Sequence, residues 1–389
     1  MNIIQPVKKE QFTVHRAQYS MFSYDGWPSV TRDENGVLYA VASSFRMQHI
    51  CPFGKTAMYI SRDGGKTWTP PIVVNDSYLD DRDAGILYMG SGRMLVSWFC
   101  HPASFYLDRY YDSIKNAAAP LESPAVLGML ESFRLIPEEY AKGGSYVKVS
   151  EDYGVTWSDP IRVPGSAPHG PNLCQDGSLI YLGKDMYITN EESNKTGKIR
   201  AYKSVDGGYS WDEIGVVAYP EGTLPQNFHE PHVVELPDGR LFGVIRAQNN
   251  AGDSIQPIRD GATTPGSKRN VGYTMFTTYS EDGGRTWSEM IPTGISGAPG
   301  HLLLHSSGAL ICTYSRREHP IGERAMISYD GGKTWPEEYV LTENCPYDNG
   351  YPATAELEDG SLITVYYEKI GEDRKPSILC TRWNLNENE

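Results

Sequence analysis

One short sequence recurs five times along this chain and constrains its fold more than any other feature. The copies are SRDGGKTW at 61–68, SEDYGVTW at 150–157, SVDGGYSW at 204–211, SEDGGRTW at 280–287 and SYDGGKTW at 328–335. The Asp of each copy is suited to accept backbone N–H groups in a tight turn, the Gly permits a left-handed backbone, and the Trp can cover the adjoining hairpin. Apolar, strand-like stretches flank every copy. The pattern therefore predicts stacked antiparallel sheets rather than one continuous sheet.

Six turn glycines form a second series, and each precedes a short strand-like run. They are Gly36, Gly92, Gly177, Gly239, Gly308 and Gly360. Each of the first five is followed by one Ser-x-Asp copy. Six inner hairpins with five outer turns predict an all-β fold, a six-bladed β-propeller of four-stranded antiparallel blades, with 1–389 as a single domain. Strands near 378–383 and 12–17 are expected to close the last blade from the two ends of the chain.

Two segments interrupt this pattern. Residues 102–146 contain SFYLDRYYDSIKNAAAP and AVLGMLESFRLIPEEYAK and are expected to form short helices. Residues 248–270 are polar and loop-like. Both segments are expected to overhang one rim of the propeller.

The charge balance argues against two classes of partner. The chain has 35 basic and 49 acidic residues, a net charge of -14, whereas nucleic acids and anionic membranes require a basic surface. It contains no apolar run of the roughly 18 residues that a membrane span needs. Its N-terminus has no apolar core of the secretory kind, so a cytoplasmic location is expected. The six Cys form no CxxC pair and are expected to be buried free thiols. The oligomeric state is left open.

The glycine series also locates a candidate site. In a propeller, the loop that enters each innermost strand borders the central channel, and the matching positions lie nine residues before each turn glycine. These positions are Trp27, Asp83, Pro168, Glu230, Pro299 and Tyr351, with Arg82, His169 and His229 as neighbours and His301 close by. Such a ring is more polar than a structural funnel requires. The sequence therefore predicts a functional site at one mouth of the channel.

The repeated copies resemble the Asp-boxes of the sialidase superfamily of six-bladed propellers, and the resemblance extends over nearly the whole chain. The segment EPHVVELPDGRLFGVIR, from Glu230 to Arg246, resembles the sialidase segment whose Glu partners the nucleophile and whose Arg binds the substrate carboxylate. The segment YPATAELEDGSLITVYYE, which begins at Tyr351, is similar to the one that supplies the Tyr nucleophile. The resemblance further implies that Arg324 or Arg317 completes the carboxylate clamp.

Two positions depart from the sialidase pattern. The first-blade arginine that sialidases place two residues before a Pro is Gly26 here, in DGWPSV. The acid/base Asp before the first box is also missing, because there is no Asp or Glu between Ser43 and Ile60. His49 lies near the expected place, with Arg46 close by. We therefore expect His49 to donate the proton to the leaving group, with Asp83 as the best substitute.

The combination of a Tyr, a Glu and arginines suits one kind of chemistry. A phenol is a weak nucleophile at neutral pH unless a base takes its proton, and arginines hold a carboxylate in a bidentate fork. The function expected from the resemblance is therefore an exo-acting glycoside hydrolase that releases a terminal acidic sugar from an oligosaccharide or glycoconjugate.

Two other functions stay open. One is a polysaccharide lyase or rhamnosidase acting at rhamnose–uronate linkages on the same propeller, and the other is a propeller that binds glycans without catalysis. No cofactor is predicted. A metal site is left undecided, since His169, His229, His232 and His301 could meet near the channel axis, whereas the DDRD run at 80–83 has no metal-specific spacing.

Overall fold

The structure, a computed structural model, describes residues 1–17, 20–117, 122–185, 197–248 and 273–386. Six antiparallel sheets follow one another along the chain, and the innermost strand of each contacts the innermost strand of the next until the ring closes. The predicted six-bladed β-propeller of four-stranded blades is therefore confirmed. Within the described residues, no helix is long and apolar enough to cross a membrane.

The chain begins with two strands that belong to the last two blades, and the first three blades follow. The opening strands are β1 (Asn2–Ile4) and β2 (Lys9–His15). The first blade consists of β3 (Tyr24–Arg32), β4 (Leu38–Arg46), β5 (Lys55–Ser61) and β6 (Ile72–Asn75). The second consists of β7 (Arg82–Gly90), β8 (Arg93–Cys100), β9 (Gly144–Ser150) and β10 (Ile161–Val163). The third consists of β11 (Asn172–Leu173), β12 (Leu179–Lys184), β13 (Ile199–Ser204) and β14 (Asp212–Val216).

The remaining blades complete the ring. The fourth consists of β15 (Phe228–Glu235), β16 (Leu241–Ala247), β17 (Thr274–Ser280) and β18 (Ile291–Pro292). The fifth consists of β19 (Gly297–Leu304), β20 (Leu310–Arg316), β21 (Gly322–Ser328) and β22 (Glu337–Val340), and β1 adds a fifth strand parallel to β22. The sixth consists of β23 (Gly350–Glu356), β24 (Leu362–Glu368) and β25 (Ser377–Trp383), closed by the N-terminal β2 as predicted.

Short helices lie in the segment between β8 and β9, as expected for 102–146. They are a π-helical turn (Phe105–Arg109), α1 (Tyr111–Ala117), α2 (Ser123–Ser132), a 3₁₀ turn (Phe133–Leu135) and α3 (Glu138–Ala141). A further 3₁₀ turn, Pro225–Asn227, precedes β15. Most of the segment predicted as a polar loop at 248–270 lies outside the described residues.

The repeated Ser-x-Asp copies connect the third and fourth strands of the first five blades. In the first copy, Asp63 Oδ1 accepts the backbone N–H of Thr67 at 2.9 Å, and Trp68 Nε1 donates to Gly65 O at 2.9 Å. The sixth blade has no such copy because its fourth strand comes from the N-terminus. All six cysteines are free thiols, and five of them are buried, as predicted.

Strand direction divides the loops between two faces. The turn glycines and the Ser-x-Asp turns lie on one face, which we call the Asp-box face. The loops that enter the innermost strands lie on the opposite face with the loops that leave each second strand, and we call this the mouth face. The helical segment after β8 therefore belongs to the mouth face. The apolar core lies between adjacent blades, as where Leu38 of β4 belongs to one buried cluster with Ile363 and Val365 of β24.

Candidate active site

Four residues at the mouth adopt the same uncommon backbone conformation. Trp27, Asp83, Glu230 and Tyr351 have φ of 52°, 53°, 49° and 54°, in the left-handed region that non-glycine residues rarely occupy. Each lies where the pairing of its inner strand with the second strand shifts register, so each is part of a β-bulge. These are four of the six positions counted from the turn glycines. The bulges explain how the repeat directs side chains into one mouth.

Tyr351, Glu230 and Arg246 form one hydrogen-bonded group. The Tyr351 hydroxyl donates to Glu230 Oε1 at 2.6 Å, and Arg246 Nη1 donates to Glu230 Oε2 at 2.5 Å and to the Tyr351 hydroxyl at 3.2 Å. Burial and the Glu230 charge raise the pKa of Tyr351 well above its usual value. The phenol therefore stays protonated at neutral pH, and its proton already lies on the bond to Glu230.

Arg246 has two neighbours that the sequence did not indicate. Gln248 Oε1 accepts from Arg246 Nη2 at 2.6 Å, and the Arg246 guanidinium lies 4.6 Å from the centre of the Tyr273 ring. The guanidinium of Arg317 lies 5.6 Å from the same ring. Arg317 is anchored by bonds to Ala298 O at 3.1 Å and Asn349 O at 2.8 Å. Tyr273 thus brings two of the predicted arginines together.

Arg324, the alternative to Arg317, lies elsewhere. It is 2% exposed on β21, and its guanidinium donates to the backbone carbonyls of Glu323 and Thr342. Its contacts are those of a structural residue at the outer side of the fifth blade. Of the two arginines left open by the sequence, only Arg317 is therefore near Arg246.

Asp83 is a buried carboxyl with an unsatisfied oxygen. Among the described residues, its Oδ1 forms no hydrogen bond, and Arg82 Nε lies 3.7 Å away. Burial raises the pKa of Asp83 to about 7, with the Glu230 charge acting in the same direction and Arg82 opposing it. Asp83 also raises the pKa of Tyr351, so the two groups are close enough to interact electrostatically. Near neutral pH, Asp83 can both donate and accept a proton.

The Trp27 ring forms the centre of one wall of the mouth. It stands edge-on to Tyr351 with the ring centres 6.3 Å apart. The guanidinium of Arg82 lies 4.2 Å from the Trp27 ring and that of Arg46 lies 4.6 Å from it. Both arginines are buried.

Arg46 is held in place by the protein itself. It forms a two-point ion pair with Asp80, one contact of which is 2.9 Å, and it also donates to the carbonyls of His49 and Cys51. The Asp80 carboxylate also accepts a hydrogen bond from the Tyr106 hydroxyl at 2.9 Å. These contacts fix the loop that carries His49.

His49 also contacts the Trp27 ring, edge-on, with ring centres 5.0 Å apart. Its Nδ1 is 3.1 Å from Asp348 Oδ1 and 3.0 Å from the Tyr24 hydroxyl. Half of the His49 side chain is exposed (49%), yet the protein atoms around the ring partly desolvate it and lower its pKa. Asp348 opposes this effect. His49 is therefore mainly neutral at pH 7.

The place of the missing first-blade arginine is taken by aromatic rings. A side-chain Cβ on Gly26 would lie 3.2 Å from the Tyr24 ring and 4.0 Å from the Tyr367 ring. Tyr367 in turn lies 6.1 Å from Tyr351, ring centre to ring centre. Any carboxylate clamp here is consequently built without an arginine at this position.

His229 is held by a lysine that the sequence did not single out. Lys184 Nζ donates to Phe228 O at 2.7 Å, to His229 Nδ1 at 2.8 Å and to Gln226 O at 3.3 Å. These bonds fix the chain immediately before Glu230. Lys184 and Arg246 occupy similar places near the ends of second strands, seven residues after a turn glycine, and this spacing could have indicated Lys184 from the sequence.

Three of the four histidines considered for a metal site meet at the axis. The His169, His232 and His301 rings lie 4.5–5.8 Å apart, and His169 is 6.5 Å from Tyr351. Nδ1 of His232 accepts from Leu302 N, and Nδ1 of His301 accepts from Thr354 N, so the neutral rings carry their protons on Nε2. Within the described residues, no group of His, Cys, Asp and Glu is placed to hold a metal ion.

The three axial histidines also line a cavity of about 250 Å³ inside the channel, on the side away from Tyr351. A larger hollow of about 1260 Å³ lies on the outer flank between the fourth and fifth blades, where Phe242, Tyr279 and Trp335 line it. Because none of Trp27, Asp83, Glu230, Arg246 and Tyr351 lines this larger hollow, its size does not identify the active site.

Comparison with known proteins places the chain in a family. The model of the BNR repeat-like domain matches residues 135–364, which is more than half of the chain, and the BNR/Asp-box repeat matches residues 59–70. The chain therefore belongs to the BNR repeat-like domain family, and its resemblance to the sialidase superfamily of propellers is confirmed. No curated protein matches the chain.

Solved structures extend the likeness in fold. A protein of unknown function from Dyadobacter fermentans DSM 18053 has a TM-score of 0.72 at 20% identity, covering 98% of this chain and 99% of that one. The intramolecular trans-sialidase from Ruminococcus gnavus has a TM-score of 0.61 at 17% identity, covering 98% of each chain. The α-L-arabinofuranosidase Arb93A from Fusarium graminearum has a TM-score of 0.60 at 12% identity, covering 97% of this chain and 98% of that one.

Proposed function

We propose that the protein is an exo-acting glycoside hydrolase that releases a terminal, carboxylate-bearing sugar from a glycan. The observation that carries this proposal is the 2.6 Å hydrogen bond from the Tyr351 hydroxyl to Glu230, with Arg246 bound to both groups. A tyrosine with a raised pKa needs a base in contact with it before it can attack, and Glu230 is that base. The likeness to a trans-sialidase fold supports the same class of substrate.

In the first step, Tyr351 Oη attacks the anomeric carbon while its proton passes to Glu230. The bond to the leaving oxygen breaks, and Asp83 gives that oxygen a proton. In the second step, Asp83 takes a proton from a water molecule, the water oxygen replaces Tyr351 at the anomeric carbon, and Glu230 returns its proton to the phenolate. The two displacements retain the configuration at that carbon.

Arg246 and Arg317 suit the sugar carboxylate. Both guanidinium groups face Tyr273, and a neutral phenol avoids the repulsion that a carboxylate nucleophile would meet beside an anionic sugar. Because the first-blade position is Gly26, the clamp has one arginine fewer than the sialidase pattern. We propose this two-arginine clamp as the site of the substrate carboxylate.

The proton donor in this proposal is Asp83 rather than His49. The pKa of Asp83 is raised to about 7, so a large fraction is protonated at neutral pH, whereas the pKa of His49 is lowered and its ring is mainly neutral. A carboxyl with a raised pKa suits a general acid, whereas a histidine with a lowered pKa suits a base or a hydrogen-bond acceptor. His49 is therefore not the proton donor in this proposal.

The experiment is a substrate screen with mass-spectrometric detection of released monosaccharides. Sialosides, aryl uronides and rhamnosyl-glucuronate oligosaccharides are incubated with the parent protein and with Tyr351→Phe. We expect release of an acidic monosaccharide by the parent and a loss of at least about 10³-fold in the variant. Equal turnover of a substrate without a carboxylate would contradict the proposed clamp.

A second candidate function is a polysaccharide lyase. The neutral His49 beside two arginines favours it, since a lyase needs a base for the proton next to the uronate carboxylate. Elimination would leave an unsaturated uronate that absorbs in the ultraviolet, whereas hydrolysis leaves no such product. The absorbance of the products therefore separates the two functions.

A further inference from the structure

A carboxylate from the sixth blade holds His49, which belongs to the first. Asp348 lies in the loop before β23, three residues ahead of Tyr351. Its Oδ1 accepts from the Tyr24 hydroxyl at 3.0 Å and lies 3.1 Å from His49 Nδ1. The Tyr24 hydroxyl is also 3.0 Å from His49 Nδ1, so the three groups form a closed triangle.

This triangle determines which nitrogen of His49 carries the proton. If Nδ1 were bare, its lone pair would face the lone pairs of the Asp348 carboxylate at 3.1 Å, which is repulsive. With the proton on Nδ1, the ring donates to Asp348 while Tyr24 donates to the same oxygen. The neutral imidazole then has its bare, accepting nitrogen at Nε2.

Among the described residues, both hydrogen-bond contacts of the His49 ring are made by Nδ1, and Nε2 forms none. The His49 ring stands edge-on to Trp27, at 77°, and Trp27 stands edge-on to Tyr351. About half of the His49 side chain is exposed, although its Nδ1 edge is covered by Tyr24 and Asp348. The charged groups that face it are Arg46 from β4, Arg82 from β7 and Asp348, and burial together with the two arginines keeps it neutral.

We propose that Asp348 is a positioning residue that holds His49 as a neutral imidazole with an accepting Nε2, and that this nitrogen accepts a hydrogen bond from a hydroxyl group of the bound sugar. The second half rests on the proposed function, whereas the first half is a property of the folded protein alone. His49 thereby favours a sugar with a hydrogen-bond donor at this position, whereas Arg246 and Arg317 favour a sugar with a carboxylate.

The test is ¹⁵N NMR of the histidine-labelled full chain, with the His49 signals assigned by their loss in His49→Gln. We expect the parent to show a protonated Nδ1 and an unprotonated Nε2 at pH 7. Asp348→Gly suits the left-handed backbone at this position, removes the oxygen that accepts from Nδ1 and leaves the Tyr24 hydroxyl to donate to Nδ1, so the proton should move to Nε2. The pKa of His49 should also fall, because Asp348 favours the charged ring. Tyr24→Phe keeps the carboxylate and should keep the parent tautomer.

Kinetics then test the role of Nε2. Asp348→Gly should reduce kcat/KM by roughly 10–100-fold, because an N–H would face the sugar donor. Asp238→Gly on the Asp-box face, whose carboxylate bonds Arg240 in a surface turn, serves as the control and should match the parent. An unchanged tautomer in Asp348→Gly would overturn the positioning role. A changed tautomer with unchanged kcat/KM would overturn the contact with the sugar. If the parent shows the expected tautomer but has no glycosidase activity, the proposed function is refuted while the positioning role stands.

Discussion

The chain changes direction sharply in every blade on both the mouth face and the Asp-box face of the propeller, but different kinds of residue occupy the left-handed backbone positions on the two faces. On the Asp-box face, most left-handed backbone positions are occupied by glycines such as Gly36 and Gly65, and the exposed Asp63 carboxylate accepts hydrogen bonds from Thr67 at both of its oxygens. On the mouth face, the same backbone region is occupied by Asp83, Glu230 and Tyr351, of which Asp83 and Tyr351 are buried and Glu230 is half-buried. Strain and buried charge are thus concentrated where chemistry is proposed, whereas the opposite face stabilises the fold.

The largest difference between the two faces is expected when a charge is removed at the mouth end of a strand and, separately, at the Asp-box end of the same strand. Glu230→Gln at the mouth end of β15 should lower kcat by about 10²–10⁴-fold, because Tyr351 loses its base. Glu235→Gln at the Asp-box end of the same strand should leave kcat unchanged. Similar losses in both variants, measured by initial rates, would show that the effect is one of folding rather than of chemistry.

Arg246→Ala tests the carboxylate clamp. We expect it to cost roughly 2–5 kcal/mol in transition-state binding, since it removes one partner of a largely buried ion pair and leaves Glu230 uncompensated. The measurement is kcat/KM for an acidic substrate and for its uncharged amide. The amide should lose much less. If both substrates lose equally, Arg246 serves only Glu230 and the carboxylate lies elsewhere.

Asp83→Asn should change activity and stability in opposite directions. Turnover of substrates with poor leaving groups should fall by about 10²-fold or more, whereas activated aryl glycosides need no proton and should be spared. The free energy of unfolding should rise by about 1–2 kcal/mol, because Asn tolerates the left-handed backbone and removes a buried carboxylate with an unsatisfied oxygen. A stability loss in urea titrations would show that the Asp83 charge stabilises the fold.

The raised pKa of Asp83 also predicts a pH dependence. The folded protein binds this proton more tightly than the unfolded chain, so the contribution of Asp83 to stability falls as the pH rises from about 3.8 to about 7. Hydrolysis that needs Asp83 in its protonated form should decline as the pH rises through about 7. In Asp83→Asn both the alkaline decline and this part of the stability slope should be absent.

The smallest effect is expected on the Asp-box face. Asp63→Ala removes the bonds to Thr67 and should lower the free energy of unfolding by about 1 kcal/mol, since the turn is exposed and water can replace part of the lost bonding. Its kcat and KM should equal those of the parent. If Asp63→Ala is as stable as the parent but less active, the two faces are coupled.

The same contrast determines what could be predicted from the sequence. The Asp-box face is specified by local turn chemistry, so the repeats predicted six blades and the glycine count led to Trp27, Asp83, Glu230 and Tyr351. The contacts among them depend on loops from different blades. Asp348 and Tyr273 have no repeat signature, and only the folded chain brings them to His49 and Arg246. The choice of Arg317 over Arg324 likewise required the neighbouring strands.

Nucleophilic catalysis through Tyr351 at the mouth face would pass through a sugar bonded covalently to that residue. The protein is incubated with a fluorinated glycosyl fluoride of an acidic sugar, which slows breakdown of this intermediate, and intact and peptide masses are measured. We expect one sugar per chain on the peptide that contains Tyr351, with none on Tyr351→Phe. Turnover of this reagent with no adduct, or an adduct on another residue, would contradict this role of Tyr351.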